Sequence, residues 1–209
     1  MLTDAEVLNE FQAAEAILRG HFILSSGLHS DTYLQCARVL MNPKRAEKLC
    51  AALATKVRQA LGAGVSEAKG GQAPLPIDIV VAPAMGGVVV GYEMGRQLGV
   101  ETIFCEREEG EFRLRRGFRI EPGQRVLMVE DVVTTGKSSL EAVKCVEAAG
   151  GKVIAEASLI DRSGGESKKM PFPLIALLTL EVKTFPADQV PAELATIEAV
   201  KPGSRFLKK

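Results

Sequence analysis

Residues 126–139 read Val-Leu-Met-Val-Glu-Asp-Val-Val-Thr-Thr-Gly-Lys-Ser-Ser and hold the side chains with the plainest chemical capacity. Four apolar residues, Val126 to Val129, deliver two adjacent carboxylates, Glu130 and Asp131. Val132 and Val133 follow, and the turn-forming Thr134, Thr135 and Gly136 lead through Lys137 into a helix opening near Ser138. In open parallel sheets, ligands bind at such strand-to-helix junctions. The backbone N–H groups of 134–138, with hydroxyls beside them, can wrap a phosphate at the helix N-terminus, where unpaired donors and the positive end of the dipole coincide. Glu130 and Asp131 carry the phosphate's own sign and cannot serve it. Two acceptors beside a phosphate cradle suit a vicinal diol, such as the 2- and 3-hydroxyls of a ribose whose 5-phosphate sits in the loop. Gly136-Lys137-Ser138 also ends like a P-loop. That motif requires glycine where this chain has Asp131, which would repel a triphosphate.

The elements that must position this loop are legible as alternating patterns. Apolar residues at Val7, Leu8, Phe11, Ala14, Ile17 and Leu18 predict a helix over 3–19, capped by Thr3 or Asp4. A second helix follows Asn42-Pro43, with a stripe at Ala46, Leu49, Cys50, Leu53 and Val57. The Gly-, Ala- and Pro-rich stretch 62–76 reads as a surface loop. From Ile77 onward, short buried runs alternate with helical ones: strands at 77–82, 100–105, 125–129 and 153–160, helices at 87–98 and 138–149, and a strand-leaning run at 174–180. This alternation predicts a doubly wound α/β fold with a mainly parallel sheet flanked by helices.

Composition bounds the function. The chain has 209 residues, 46% hydrophobic, with Lys+Arg and Asp+Glu both at 26 and a formal net charge of zero. No global basic field steers it to nucleic acid or an anionic membrane, so any anion is bound locally. No apolar run approaches the roughly 20 residues of a spanning helix, and the N-terminus lacks the pattern of a signal peptide, so a cytoplasmic location is expected. The four cysteines, Cys36, Cys50, Cys105 and Cys145, show no C-x-x-C pairing and are expected to be reduced, buried thiols rather than zinc ligands. His21 and His29 are expected to be structural, and Met85, Met94 and Met128 to lie in the core.

Val129 to Gly136 resembles the phosphoribosyl pyrophosphate signature of type I phosphoribosyltransferases. Gly20 to Gly27 with Ser30, Ile160-Asp161-Arg162 and Lys201 to Arg205 extend the resemblance over nearly the whole chain, to the orotate phosphoribosyltransferase family. It implies one domain, 1–209, with a core about 36–169 and a small hood from about 1–35 and 170–209. It implies transfer of the phosphoribosyl group to orotate, giving orotidine 5′-monophosphate and pyrophosphate in de novo pyrimidine (UMP) biosynthesis. Magnesium is expected as cofactor, carried mainly by phosphoribosyl pyrophosphate with no direct protein ligand.

Carried over by position, Glu130 and Asp131 hold the ribose hydroxyls, with Asp131 catalytic. Thr134, Thr135, Gly136, Lys137 and Ser138 cradle the 5-phosphate, and Val132 and Val133 fall at phosphoribosyl pyrophosphate-binding positions. Arg107, Met85 and Gly86 fall at pyrophosphate positions. Ser25, Tyr33, Leu34, Thr134 and Arg162 fall at orotate positions, where a guanidinium can grip the orotate carboxylate through two parallel hydrogen bonds. Asp161 is expected to orient Arg162. Met85-Gly86 and Ser25 depart from the family's usual Tyr-Lys and Lys, so two cationic contacts are missing. The polar segment 106–123 falls where the family has a mobile loop with a catalytic Lys and His, commonly closing over the neighbouring subunit. Here Arg113 and Arg115 are the candidates for those roles, in a homodimer sharing the loop 107–119. A purine phosphoribosyltransferase would share the 130–138 loop but leave Arg162 without a carboxylate. A phosphoribosyl pyrophosphate-sensing regulator would need a nucleic-acid-binding surface that this chain does not display.

Overall fold

Thr3 opens the first helix through a capping box: its Oγ1 accepts from the Glu6 N–H at 3.3 Å and its own N–H donates to Glu6 Oε2 at 2.8 Å. The computed structural model describes residues 1–24, 26–62 and 75–202. In chain order its elements are α1 (Asp4–Ala13), β1 (Ile17–Ile23), β2 (His29–Leu34), α2 (Cys36–Leu40), α3 (Pro43–Ala60), β3 (Ile79–Pro83) and α4 (Gly86–Leu98). There follow β4 (Glu101–Glu108), β5 (Glu111–Leu114), β6 (Arg125–Val133), α5 (Lys137–Ala148), β7 (Lys152–Asp161), β8 (Leu174–Thr179), β9 (Thr184–Phe185) and α6 (Ala192–Ala195).

The large sheet runs β5-β4-β3-β6-β7-β8, parallel except for the antiparallel edge strand β5. Helices cover both faces. On one, Val7 and Phe11 of α1, Leu49 and Leu53 of α3 and Val90 and Met94 of α4 pack with Leu127, Leu159 and Leu177. On the other, Ala142, Val143 and Val146 of α5 pack with Ile79, Val81 and Met128. The predicted stripe of α3 is buried throughout, and Asn42 Oδ1 caps it by accepting from the N–H groups of Lys44 and Arg45 at 3.1 and 3.2 Å.

Three expectations are corrected. The first helix ends at Ala13, not near residue 19: Glu15 turns the chain at φ 49, and Ile17 and Leu18 enter β1 to pair with Leu34 and Tyr33. β6 does not stop at Val129, because β7 supplies ladder partners as far as Val133, with Glu130 opposite Ser158 and Val133 opposite Asp161. Met85 is not a core residue but 83% exposed, whereas Met94 and Met128 are buried as expected. The loop expected over 62–76 has residues 63–74 outside the described residues.

A second sheet, β1-β2-β9, joins residues from both ends of the chain, and Val200 bridges to Phe22. His21 Nδ1 donates to the Ile197 carbonyl at 2.9 Å, so its Nε2 must accept at 2.6 Å from His29 Nδ1–H in the neutral pair. This pins the C-terminal segment to β1 and gives both histidines structural partners. From the same terminal segments, α1 and β8 pack with the large sheet instead.

Candidate active site

A cavity of about 300 Å³ lies between the carboxyl ends of β3, β6 and β7 and the small sheet. Its floor is Glu130, Asp131 and Val132, still within β6. Thr134 and Ser138 flank the start of α5, for which Gly136 is the N-cap at φ 71. Pro83, Ala84, Gly86 and Gly87 come from the β3–α4 junction, where the Ala84–Met85 peptide is cis. Arg162 enters one residue past β7, tethered by its N–H to the Val133 carbonyl at 2.9 Å. Tyr33 and Leu34 of β2, with Ile23, Leu24, Ser26 and Pro202, close the opposite wall.

Electrostatics follow from this enclosure. Burial, then repulsion from Glu156 and Asp131, pushes Glu130 up to about 8. Burial also raises Asp131, against which the Val132 N–H, donating at 2.9 Å, pulls down. A Cβ on Gly86 would stand 3.1 Å from Asp131 Oδ1, so glycine leaves the carboxylate its room. Burial lowers the Arg162 guanidinium and raises the Tyr33 hydroxyl. Arg162 Nη2 is buried with no partner among the described residues, and an unpaired buried donor favours an incoming acceptor. The Phe22 ring lies 5.7 Å from that of Tyr33, adding a second aromatic behind it.

Of the residues singled out from the sequence, the cavity gathers Tyr33, Leu34, Gly86, Glu130, Asp131, Val132, Thr134, Ser138 and Arg162. Val133 is buried within β6, Thr135 Oγ1 accepts from the Lys137 N–H at 3.4 Å, and Lys137 reaches outward toward Glu141. Ser25 lies outside the described residues. Met85 points to solvent. The arginines of the polar segment stand away from the lining. Residues 106–114 form a hairpin between β4 and β5, in which Glu106 pairs opposite Arg113 and Arg107 opposite Phe112. Arg107 bonds Glu141 and the Gly110 carbonyl and stacks on Phe112; Arg113 and Arg115 both face Glu108, at 3.8 and 3.6 Å. Asp161 does not orient Arg162: its carboxylate accepts from the Ser163 N–H and the Ser167 hydroxyl and holds the following turn. Ser139 and Glu156, buried beneath Glu130, were not singled out as site residues. A Glu within a β-run carries no sequence mark of its burial.

This fold and loop define a phosphoribosyl transferase domain, and the family model of that description matches residues 44–186. Two solved structures share the fold. Orotate phosphoribosyltransferase from Aeropyrum pernix superposes with a TM-score of 0.63 at 23% identity, over 83% of this chain and 93% of its own. The UMP synthase of Leishmania donovani gives 0.69 at 20% identity over 86% of this chain, which spans 37% of that longer protein. A relative from Rhizorhabdus wittichii named orotate phosphoribosyltransferase is 56% identical over 204 residues, 98% of this chain and 97% of its own. The chain belongs to the orotate phosphoribosyltransferase family.

Proposed function

We propose that this protein transfers the 5-phosphoribosyl group from phosphoribosyl pyrophosphate to N1 of orotate, the reaction named in its close relatives. The observation that carries the base assignment is Arg162: a half-buried arginine with a buried, unpaired Nη2, at the wall of a cavity floored by two acids. The orotate carboxylate answers that donor, whereas a neutral purine leaves it unpaired. Glu130 and Asp131 accept from the ribose hydroxyls, and the N-terminus of α5 with Thr134 and Ser138 takes the 5-phosphate. N1, its proton released to solvent, bonds to the anomeric carbon as the bond to the pyrophosphate oxygen breaks and its electron pair leaves with pyrophosphate. The acids sit where positive charge develops on the ribose, and donors of the β3–α4 junction sit where negative charge develops on the leaving group.

Magnesium enters as part of the substrate, bound to the pyrophosphate and neutralising its charge. The location proposed is cytoplasmic; among the described residues no helix is long and apolar enough to cross a membrane. The assembly proposed is a homodimer in which the 107–119 segment of one copy, with Arg107, Arg113 and Arg115, serves the other copy's cavity. In support, these arginines do not line the cavity of their own chain. Incubation with phosphoribosyl pyrophosphate, magnesium and either orotate, hypoxanthine or uracil, followed by measuring pyrophosphate release, tests the reading. Release is expected with orotate alone; release with hypoxanthine and not orotate overturns it.

A further inference from the structure

Beneath the ribose-binding acids lies a buried polar group that the reaction as written does not use. Glu156 of β7 is 0% exposed. Its Oε1 is 2.7 Å from Ser139 Oγ of α5, and the same hydroxyl is 3.3 Å from Glu130 Oε1 of β6. Glu156 Oε2 has no partner among the described residues, nor has Ser158 Oγ, two residues along and opposite Glu130. The register neighbours of Glu156 are Met128 on β6 and Leu174 on β8, and its N–H donates to the Pro173 carbonyl. The charged groups acting on this pair are acidic: Asp161 on Glu156, and Asp131 on Glu130.

One hydroxyl carries one proton, so Ser139 can donate to only one of the two carboxyls. Both contacts are hydrogen bonds only if the other carboxyl supplies a proton of its own. Two acids this close share a proton rather than both ionising. Glu130 borders the cavity, and a proton on Glu156 removes the repulsion that helps to raise it to about 8, so Glu130 is the one of the two that can ionise. Glu156, wholly buried with one oxygen unpartnered and no face on the cavity, has nothing to satisfy a charge. Its burial and the nearby Asp161 push it up to about 7.

We propose that Glu156 is a positioning residue for the ribose-binding acid: as a neutral carboxylic acid it donates to Ser139 Oγ, whose hydroxyl then donates to Glu130 and fixes that carboxylate toward the substrate. When Glu156 ionises, Ser139 turns its proton to the nearer Glu156 oxygen, and Glu130 loses that donor and keeps Ser138. Affinity for phosphoribosyl pyrophosphate therefore falls as pH rises through the Glu156 titration. The inference rests on Glu130 being a ribose acceptor.

The test pairs an infrared measurement on the free protein with kinetics. The wild type at neutral pH should show a buried carboxylic-acid band that Glu156→Gln removes; identical bands in both proteins overturn the proposal. An amide at 156 still donates to Ser139. Glu156→Gln should therefore keep wild-type kcat and KM at neutral pH and lack the climb in KM for phosphoribosyl pyrophosphate that the wild type shows between about pH 6 and pH 9. Ser139→Ala and Glu156→Leu should raise that KM about fivefold, the size of one lost hydrogen bond, with KM for orotate unchanged. An alkaline climb that persists in Glu156→Gln, or a Gln variant as impaired as the Leu variant, overturns the relay. If Glu130→Gln leaves KM for phosphoribosyl pyrophosphate unchanged, the ribose assignment fails instead, and the infrared result still decides where the proton lies.

Discussion

Arg162 lines the cavity, and its buried Nη2 has no partner among the described residues; a lysine there would keep the charge but lose the planar fork that matches a carboxylate. Arg162→Lys should raise KM for orotate about tenfold or more, with KM for phosphoribosyl pyrophosphate within about twofold in steady-state kinetics. Equal rises in both constants would place the guanidinium at the phosphoribosyl group. Asp131 stands beside Gly86 on the cavity floor. Asp131→Asn should lower turnover well beyond any loss of stability, and an unchanged rate would remove it from the reaction. Glu156 makes a separate prediction about stability, because its acid is raised to about 7 from an ordinary 4.5. Between those values the folded chain binds a proton that the unfolded chain does not. The contribution of this one group is thus fully present below about pH 4.5 and is lost as pH climbs through about 7, by up to about 3 kcal/mol. Glutamine does not titrate, so the melting temperature of Glu156→Gln should gain on the wild type as pH is raised. A difference constant with pH would mean that the buried acid has no such linkage.

Helix α4 is seated by small residues. A Cβ on Gly95 would fall 1.9 Å from Thr102 Oγ1 and 2.9 Å from the Val100 carbonyl, and one on Gly91 would fall 2.7 Å from Ala82 Cβ. Gly95→Ala must push α4 away from β4, and overpacking of this kind costs about 1–3 kcal/mol. Its melting temperature should drop, while kcat at a temperature where both proteins are folded stays near wild type, since Gly86 and Gly87 at the opposite helix end border the cavity. An unchanged melting temperature would show that the helix is not held so closely. The elements legible from sequence are those whose ends are set locally. Asn42-Pro43 and the stripe from Ala46 to Val57 mark α3 without reference to anything distant. The ends of α1 and β6 were not legible, because pairing decides them: β2 draws Ile17 and Leu18 into a strand, and β7 carries β6 on to Val133. The acids and the 134–138 loop could be found because they are contiguous. The ion pairs of Arg107, Arg113 and Arg115 could not, because they depend on a hairpin register and on Glu141 of another element.

The whole molecule carries equal numbers of acidic and basic residues, so no long-range field governs its association, and short-range burial must do so. The exposed apolar side chains are not scattered evenly. Met85 at 83% exposure, Val89 at 50% and Tyr92 at 68% follow one another at helical spacing from the N-cap of α4 along one face. That face begins beside Gly86 and Gly87, which line the cavity. A second copy docked there would cover the stripe and bring another chain to the edge of the site, where arginines of its 107–119 segment are the groups this chain does not supply to itself. Replacing Val89 and Tyr92 together with Glu puts two charges at the centre of such an interface. If the proposed dimer forms, the wild type is expected to sediment as a dimer and the variant as a monomer that keeps the wild-type melting profile at low protein concentration and loses turnover in proportion to the monomer formed. Adding Arg115→Ala separates the two parts of the idea: in the dimer it should lower kcat sharply, and in the monomer it should have little left to remove. A wild type that sediments as a monomer at full activity would show that one chain completes its own site.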